Sequence, residues 1–297
     1  MEETTLLKLD KVDICREENV ILHRASFTLH NGEFVYVIGK VGSGKSSLLK
    51  SLYCEIPINQ GDAWLLDYNL CKMRRKDIPY LRRKLGIVFQ DFQLLTDRSV
   101  HKNLEFVLKA TGWKKKKERN TRIHEVLEQV GMTAKADQMP YQLSGGEQQC
   151  VCIARAILNR PDIILADEAT GNLDKENGRR AAAILYDISK AGTTVVLSTH
   201  NEELISEFPG VVYRCGEGRL QECTDAYTPL LAPDAIEIHP GTPNDYYVCH
   251  EVKGEDPEAS FDDPENAVVS QEYYTQRQPH LPIEPDVGFA YINDKGQ

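Results

Sequence analysis

Gly39-Lys40-Val41-Gly42-Ser43-Gly44-Lys45-Ser46 is the stretch that decides the fold of this chain, because it fits the pattern G-x-x-x-x-G-K-S. It stands between an apolar run at residues 33–38 and a helix-like run at residues 46–52, which predict a buried strand before it and a helix after it. Glycines let the backbone curl so that successive N–H groups point inward, at a helix N-terminus that favours negative charge. We therefore predict a phosphate-binding loop that includes Ser47, with Lys45 reaching the terminal phosphates and the Ser46 hydroxyl offered to Mg2+.

The composition fits a globular protein. With 297 residues and 41% hydrophobic content, the chain can bury at least one full core. The first residues lack a basic and then apolar pattern, and no apolar stretch approaches the roughly 18 residues of a membrane span. Membrane contact is therefore expected only at the periphery or through a partner. Eight cysteines without CxxC spacing predict reduced thiols rather than a zinc site or a redox pair.

Charge divides the chain near residue 220. The net charge is −10, but from Gln221 onward sixteen acidic residues stand against three basic ones, which leaves about +3 for residues 1–220. The same segment holds nine of the fourteen prolines and shows no sustained periodicity. We predict a folded domain over residues 1–220 and an acidic, proline-rich, disordered tail over residues 221–297. The tyrosines of the tail favour a second interpretation, a segment that folds on binding.

Strand-like and helix-like patterns alternate along the folded part. Two facing strands are predicted first, and the alternation in the second places Ile21, His23, Ala25, Phe27 and Leu29 on one face. Helical spacing from Ser99 to Arg160 predicts an inserted helical subdomain of about 92–160. Strands that alternate with helices predict an α/β fold with a central, mostly parallel sheet. The strand predictions cover residues 4–14, 20–30, 33–38, 61–66, 85–89, 163–166 and 193–197, with a closing hairpin at 211–219.

Two adjacent carboxylates follow the apolar run at residues 163–166. Open α/β sheets bind ligands at the carboxyl ends of their strands. Asp167 there suits the surroundings of Mg2+. Glu168 suits a general base that polarises the attacking water. Taken alone, the pair also fits an ordinary acidic turn, and the phosphate loop is what favours the catalytic interpretation.

A second glycine-containing helix start lies at residues 143–149, Leu-Ser-Gly-Gly-Glu-Gln-Gln. Ser144 and Glu147 have the spacing of a capping box that opens a helix. Gly145 and Gly146 at such a helix start would leave N–H groups and a hydroxyl for a further phosphate contact. Both interpretations hold at the same time, but the capping box alone explains neither the glycines nor Leu143.

Together with ILADEATGNLD at residues 164–174, these motifs resemble the nucleotide-binding domain of ABC ATPases over residues 4 to about 220. The resemblance implies the P-loop NTPase fold of ABC type, with an antiparallel β subdomain and an inserted helical subdomain. It implies ATP and Mg2+ as ligands and a head-to-tail homodimer formed on ATP binding, in which each ATP lies between one phosphate loop and the partner's LSGGE segment. Residues that match the family's functional positions are the catalytic Lys45, Gln90, Glu168 and His200, the metal-binding Ser46, Gln90 and Asp167, and the nucleotide-binding Ser144, Gly145, Gly146, Glu147 and Asp174.

A finer resemblance, carried by VFQDFQLL at residues 88–95, LSGGEQQ and ADEATGNLD, is to the FtsE group of cell-division ATPases. It implies an FtsX-like integral membrane partner, a peripheral place on the cytoplasmic face of the inner membrane, and a role in regulating cell-wall hydrolysis. Phe92, Leu94 and Leu95 would meet the partner's coupling helix. ATPases of lipoprotein-release and macrolide-export transporters share much of the pattern and are the first alternative. An ATP-binding regulatory protein with little hydrolysis is the second.

Three positions depart from the family's pattern. Cys150 stands in place of arginine, Ala169 in place of proline, and Cys15 near the place of an aromatic residue that stacks on adenine. We expect a working but slow and weakly base-selective ATPase. Basic clusters at residues 72–76, 82–84 and 114–117 lack interleaved aromatic residues, so we expect solvated faces and no nucleic acid partner.

Overall fold

Ten strands and seven α-helices occur in residues 4–16 and 19–227, the part of the chain that the computed structural model describes. The predicted tail therefore lies, from residue 228 onward, outside the described residues. The strands are β1 (Thr5–Arg16), β2 (Asn19–His30), β3 (Phe34–Ile38), β4 (Asp62–Leu65), β5 (Tyr68–Asn69), β6 (Leu85–Val88), β7 (Ile163–Asp167), β8 (Thr194–Thr199), β9 (Val211–Gly216) and β10 (Arg219–Glu222). The helices are α1 (Lys45–Leu52), α2 (Ile78–Arg83), α3 (Val100–Ala110), α4 (Lys116–Gln129), α5 (Gly145–Ile157), α6 (Lys175–Lys190) and α7 (Glu203–Glu207).

The strands form two sheets. Four of them make an antiparallel sheet in the order β2-β1-β4-β5, and the other six are ordered β10-β9-β3-β8-β7-β6. In the six-stranded sheet all pairings are parallel except that of β9 with β10. The predicted α/β fold with a mostly parallel central sheet and an antiparallel β subdomain is thus confirmed. The final hairpin continues to Glu222, two residues past the predicted domain boundary.

The side-chain alternation of β2 changes phase along the strand. Ala25, Phe27 and Leu29 are buried as predicted, but the prediction is wrong for Ile21 and His23, since Leu22 is the buried residue at that end. Pairing shows the cause: Val12 faces Ala25 while Ile14 faces Leu22, so β2 carries one extra residue there. Arg24 has a φ of 46° at this point. A β-bulge of this kind moves all following side chains to the opposite face.

The six-stranded sheet is buried on both faces, which is typical of parallel sheets. Successive residues of β3 point to opposite sides: Val35 and Val37 pack with the antiparallel sheet, whereas Tyr36 and Ile38 pack with the helices. Helices α3, α4 and α5 contribute to the core on the helical side of the sheet, as the helical spacing between residues 99 and 160 predicts. The carboxyl ends of β3, β7 and β8 therefore meet at one edge of the sheet, where ligands bind in folds of this class.

Candidate phosphate-binding and hydrolysis site

The loop between β3 and α1 is held tightly at both ends. Gly39 has a φ of 146°, and a Cβ atom there would lie 2.3 Å from the carbonyl oxygen of Cys215 on β9. Gly44, with a φ of 106°, would place a Cβ atom 2.8 Å from Ile21 Cγ2. Residues other than glycine rarely adopt these angles. The two glycines thus let the loop curl between β9 and β2 and turn directly into α1.

Lys45 is the first residue of α1 and crosses back over the loop. Its Nζ donates to the carbonyl oxygens of Gly39 at 2.8 Å and Lys40 at 3.2 Å. The same atom lies 3.1 Å from Glu168 Oε1, and the lysine side chain is only 3% exposed. A buried ammonium group needs such partners. The contacts hold one positive charge at the point where the loop meets the end of β7.

Ser46 and Asp167 form the next layer of the site. The Ser46 hydroxyl donates to Asp167 Oδ1 at 2.9 Å, and the Ser198 hydroxyl donates to the same oxygen at 2.6 Å. Ser198 lies on β8, beside β7, and is fully buried. A carboxylate and hydroxyl oxygens gathered in this way are the hard donors that Mg2+ prefers.

Glu168 turns out of β7 in a left-handed conformation, with a φ of 44°. Its N–H lies 3.1 Å from the Ser198 carbonyl oxygen and 2.9 Å from the Ser198 hydroxyl, so that one residue fixes this backbone. Its Oε2 is 3.2 Å from His200 Nδ1. Strained backbone that is fixed by several contacts occurs often at functional sites. The Glu168 carboxylate consequently lies between the Lys45 ammonium group and the His200 imidazole.

Gln90 begins a strained segment after β6. Its carbonyl oxygen accepts a hydrogen bond from Asn172 Nδ2 at 3.1 Å. Further along, Phe92 and Gln93 have φ values of 22° and 51°. Arg155 of α5 donates to both of their carbonyl oxygens, at 2.8 Å and 2.6 Å. This arginine therefore ties the segment after Gln90 to the helical subdomain.

Ser144 caps α5 as its spacing predicts. The Glu147 N–H donates to the Ser144 hydroxyl at 3.3 Å, and the Ser144 N–H donates to Glu147 Oε2 at 2.9 Å. That hydrogen bond from the Ser144 backbone lowers the pKa of Glu147 below its ordinary value, and Lys135, 3.3 Å away, acts in the same direction. The local capping box is thus confirmed.

Asp174 caps α6 in the same way, because its Oδ1 accepts from the Asn177 N–H at 2.9 Å. This hydrogen bond lowers the pKa of Asp174. The two capped helix starts lie side by side: a Cβ atom at Gly146 would come 2.1 Å from Asn177 Oδ1. Gly146 is therefore needed for close packing of α5 against α6, and Gly145 faces Leu173 at an ordinary 3.5 Å.

The predicted site residues fall into two groups. Lys45, Ser46, Asp167, Glu168 and His200 are joined by direct contacts at the carboxyl edge of the sheet. The segment of residues 144–147 lies beside the start of α6, and among the described residues no hydrogen bond connects it to the phosphate loop. Within a single chain the two glycine-containing helix starts are thus separate.

Sequence reasoning did not single out Ser198 or Arg155. Ser198 follows an apolar run at the end of a parallel strand, two residues before His200, and that position was the available signal. Arg155 gave no signal, because its partners are backbone carbonyl groups about sixty residues away in sequence. Of the departing positions, Cys150 and Ala169 are both buried, and burial raises the pKa of the Cys150 thiol.

A groove of about 390 Å3 shares Arg155 with the contacts of the segment after Gln90. It is bounded by α2, β6, α3 and α5, and its lining includes Arg83, Phe89, Val107 and Arg155. Two exposed apolar side chains lie nearby in the sequence: Leu95 precedes α3, and Phe106 lies within it. No helix in the described part of the chain is both long and apolar enough to cross a membrane.

Comparison with known proteins agrees with this arrangement. The family model described as ABC transporter matches residues 22–171. The cell division ATP-binding protein FtsE of Bacillus subtilis is 45% identical over 185 residues, which cover 62% of this chain and 81% of that protein. FtsE of Escherichia coli is 39% identical over 62% of this chain and 83% of that protein.

Solved structures show the same similarity. The dimeric bacterial ABC transporter cassette MJ0796 superposes with a TM-score of 0.65 and 32% identity, over 73% of this chain and 98% of that one. The family model spans half of the chain, and the relatives are matched over most of their own length. The chain is therefore a member of the ABC transporter family, and it is an ATPase of the ABC type.

Proposed function

We propose that this chain is the ATP-binding and ATP-hydrolysing subunit of an FtsEX-like membrane complex that acts in cell division and regulates cell-wall hydrolysis. The observation that carries the proposal is the line of contacts from Lys45 through Glu168 to His200, at 3.1 Å and 3.2 Å, beside a phosphate loop. The names of the relatives, cell division ATP-binding proteins, supply the biological context.

ATP binding rests on the phosphate loop. Residues 39–47 present backbone N–H groups at the start of α1, where the helix dipole also favours a triphosphate. The Lys45 ammonium group lies over this loop and balances phosphate charge. Ser46, Asp167 and the Gln90 side chain are the residues that would hold Mg2+, and the donor set of a hydroxyl, a carboxylate and an amide oxygen fits a hard cation. Bound there, the ion would neutralise charge on the phosphates.

Hydrolysis is assigned to the carboxylate that follows the strand. Glu168 accepts the proton of the attacking water as the general base, and the left-handed turn at this residue aims its carboxylate at the edge of the sheet. His200 contacts the same carboxylate and is positioned to contact the γ-phosphate. Removing a general base typically lowers the rate about 10²- to 10⁴-fold, so Glu168→Gln should bind ATP and barely hydrolyse it.

A second copy of the chain completes the site. Ser144, Gly145, Gly146 and Glu147 form a capped helix start that is separate from the phosphate loop of its own chain. A head-to-tail homodimer that forms on ATP binding would bring this helix start onto the triphosphate bound by the partner. Asp174 would lie at the same interface. The similarity to a cassette described as dimeric supports this arrangement.

The membrane partner is assigned to the segment after Gln90 and to the groove whose lining includes Arg155, the residue that binds this segment. Phe92, Leu94 and Leu95 would meet its coupling helix, and the Arg155 hydrogen bonds to the Phe92 and Gln93 carbonyl groups would transmit movement of that segment to α5. The chain would then sit peripherally on the cytoplasmic face of the inner membrane, attached through an FtsX-like protein. Nucleic acid has no part in this proposal.

Two measurements test the proposal. Full-length protein should hydrolyse ATP with Mg2+ and its membrane partner, and Lys45→Ala should abolish turnover. In the presence of ATP, Glu168→Gln should capture the membrane partner, and a further Leu95→Ser change should weaken this capture. Trp64→Ser is the matched control, because Trp64 is 44% exposed against 38% for Leu95 and lies on β4 of the antiparallel sheet. Turnover that survives Lys45→Ala, or capture that responds equally to both changes, would contradict the assignment.

Transport is the second candidate function, favoured by the similarity to a transporter cassette. In that case the chain serves a lipoprotein-release or macrolide-export complex. The captured protein distinguishes the two: a short permease with one large outer domain supports the division role, whereas a longer permease with an export partner supports transport.

A further inference from the structure

Tyr227, the last described residue, closes a polar cluster with two residues of different elements. Arg214 Nη1 and Nη2 lie 3.3 Å from Glu202 Oε1 and Oε2 respectively, which is a fork-to-carboxylate arrangement. The Tyr227 hydroxyl donates to Glu202 Oε2 and accepts from Arg214 Nη2. One carboxylate is thus held by both a guanidinium group and a phenol.

Glu202 belongs to the segment that carries His200. This segment follows β8 and makes its own short-range contacts: the Asn201 N–H donates to Thr199 Oγ1 at 3.0 Å, and the Glu203 N–H donates to Asn201 Oδ1 at 3.1 Å. His200 itself is about half exposed, with the hydrogen-bond contact to Glu168 described above. The direction of the imidazole therefore depends on how firmly the residues around it are fixed.

Arg214 lies on β9, next to the end of the strand that leads into the phosphate loop. It pairs with Ile38, the last residue of β3, and Cys215 follows it. The Cys215 carbonyl oxygen is the atom against which Gly39 packs. The cluster consequently bridges the histidine segment and the strand that supports the first glycine of the loop.

Tyr227 is itself anchored. Its N–H donates to the Thr224 carbonyl oxygen at 3.0 Å, and the Cys223 N–H donates to the Val212 carbonyl oxygen at 2.8 Å. The Cys223 thiol and the Tyr227 ring pack against the core on the helical side of the sheet. Burial and the neighbouring Glu202 raise the pKa of Tyr227, so it keeps its proton and remains a hydrogen-bond donor at neutral pH. The phenol therefore reaches Glu202 from a fixed turn.

We propose that Glu202, Arg214 and Tyr227 act as a clamp that positions His200 relative to the phosphate loop, so that Tyr227 is a positioning residue for ATP hydrolysis. The inference rests on the role of His200 in the proposed function. The Glu202 and Arg214 side chains are about 42% and 47% exposed, so screening weakens their charge attraction. The segment that carries His200 is fixed because Arg214 and Tyr227 both hold the Glu202 carboxylate, and not by the strength of one ion pair.

The test uses full-length protein and the variant Tyr227→Phe, which removes only the hydroxyl group. Tyr213→Phe is the matched control, because its hydroxyl donates to Glu222 at 3.3 Å on the same hairpin and does not reach the histidine segment. The first measurement is hydrogen exchange of the amides of residues 199–205. Exchange there should be faster in Tyr227→Phe and unchanged in Tyr213→Phe.

The second measurement is steady-state ATP hydrolysis. The hydroxyl group donates to a charged carboxylate, and partial transmission of its loss to the transition state predicts a kcat about 3- to 10-fold lower for Tyr227→Phe. The KM for ATP should change by less than about 2-fold, since nucleotide binding rests on the loop. In a His200→Gln background the same tyrosine change should have no further effect.

Exchange in residues 199–205 that is unaffected by Tyr227→Phe would overturn the clamp, as would equal effects of the two tyrosine variants. A rise in KM without loss of kcat would also overturn it, since this indicates a role in binding. The exchange experiment needs no turnover. If the wild-type protein fails to hydrolyse ATP, the proposed function is refuted while the physical clamp is still judged on its own result.

Discussion

Replacing Gly39 by alanine should cost far more stability than replacing Gly42, although both are phosphate-loop glycines with positive φ values of 146° and 82°. A Cβ atom at residue 39 would lie 2.3 Å from the Cys215 carbonyl oxygen, which is backbone and cannot rotate away. A Cβ atom at residue 42 meets no heavy atom within 4 Å. Gly42→Ala therefore adds only backbone strain, about 1–2 kcal/mol, and gains a little from the stiffer unfolded chain.

Gly39→Ala adds the strain and an overpacking cost of about 1–3 kcal/mol, because β9 must move away from β3. We expect it to be the less stable variant by about 2 kcal/mol. Gly192→Ala, with a φ of 104° and open space in a surface turn, measures the strain alone. The assay is urea unfolding of nucleotide-free full-length protein, followed by tryptophan fluorescence. Equal destabilisation of Gly39→Ala and Gly42→Ala would refute the argument, since it would mean that the contact between the loop and β9 carries no cost.

Three further outcomes follow from single contacts. Ser198→Ala removes the hydroxyl shared by Asp167 and the Glu168 N–H, so ATP turnover should fall about 10-fold or more in a steady-state assay; Ser189→Ala, a buried helical serine, should leave it unchanged. Arg155→Met leaves the Gln93 carbonyl group without its arginine donor and the Phe92 carbonyl group with only the Cys152 thiol, and it should lower the free energy of unfolding by about 2–3 kcal/mol in urea. The pKa of Glu147 in the folded protein lies below its ordinary value of 4.5. The stability that results is present above pH 4.5 and is lost as the pH falls through the lower pKa of the folded protein. Glu147→Gln should therefore flatten the acid side of a plot of the free energy of unfolding against pH.

Local features were predictable from the sequence. The phosphate loop, the strand that leads into it and the capped start of α5 depend on neighbouring residues and their spacing, and all three appear in the structure. The same holds for the order of strands and helices that makes the central sheet parallel. Patterns of this kind can be recognised in a sequence because turn preferences and the periodic spacing of apolar side chains depend on only a few neighbouring residues.

Contacts over long sequence distances were not predictable. The bulge at Arg24 exchanges the buried positions of β2, and nothing local indicates it because Ile21 and Leu22 are equally apolar. The approach of Cys215 to Gly39 joins residues that are far apart in the sequence. It depends on β9 lying next to β3, which the order of strands along the chain does not reveal.

Asp167 and Glu168 are adjacent in the sequence, yet both carboxylates reach the phosphate loop because the strand ends between them. In a continuing strand, neighbouring residues point to opposite faces, so only one of the two carboxylates would reach the phosphate loop. β7 instead ends at Asp167, and Glu168 turns to a φ of 44°. Asp167 then contacts Ser46 while Glu168 contacts Lys45, two adjacent residues of the loop. The strain of about 1–2 kcal/mol is offset by two acceptors for the Glu168 N–H, both supplied by Ser198. The pair of carboxylates therefore depends on the neighbouring strand β8 as much as on its own sequence.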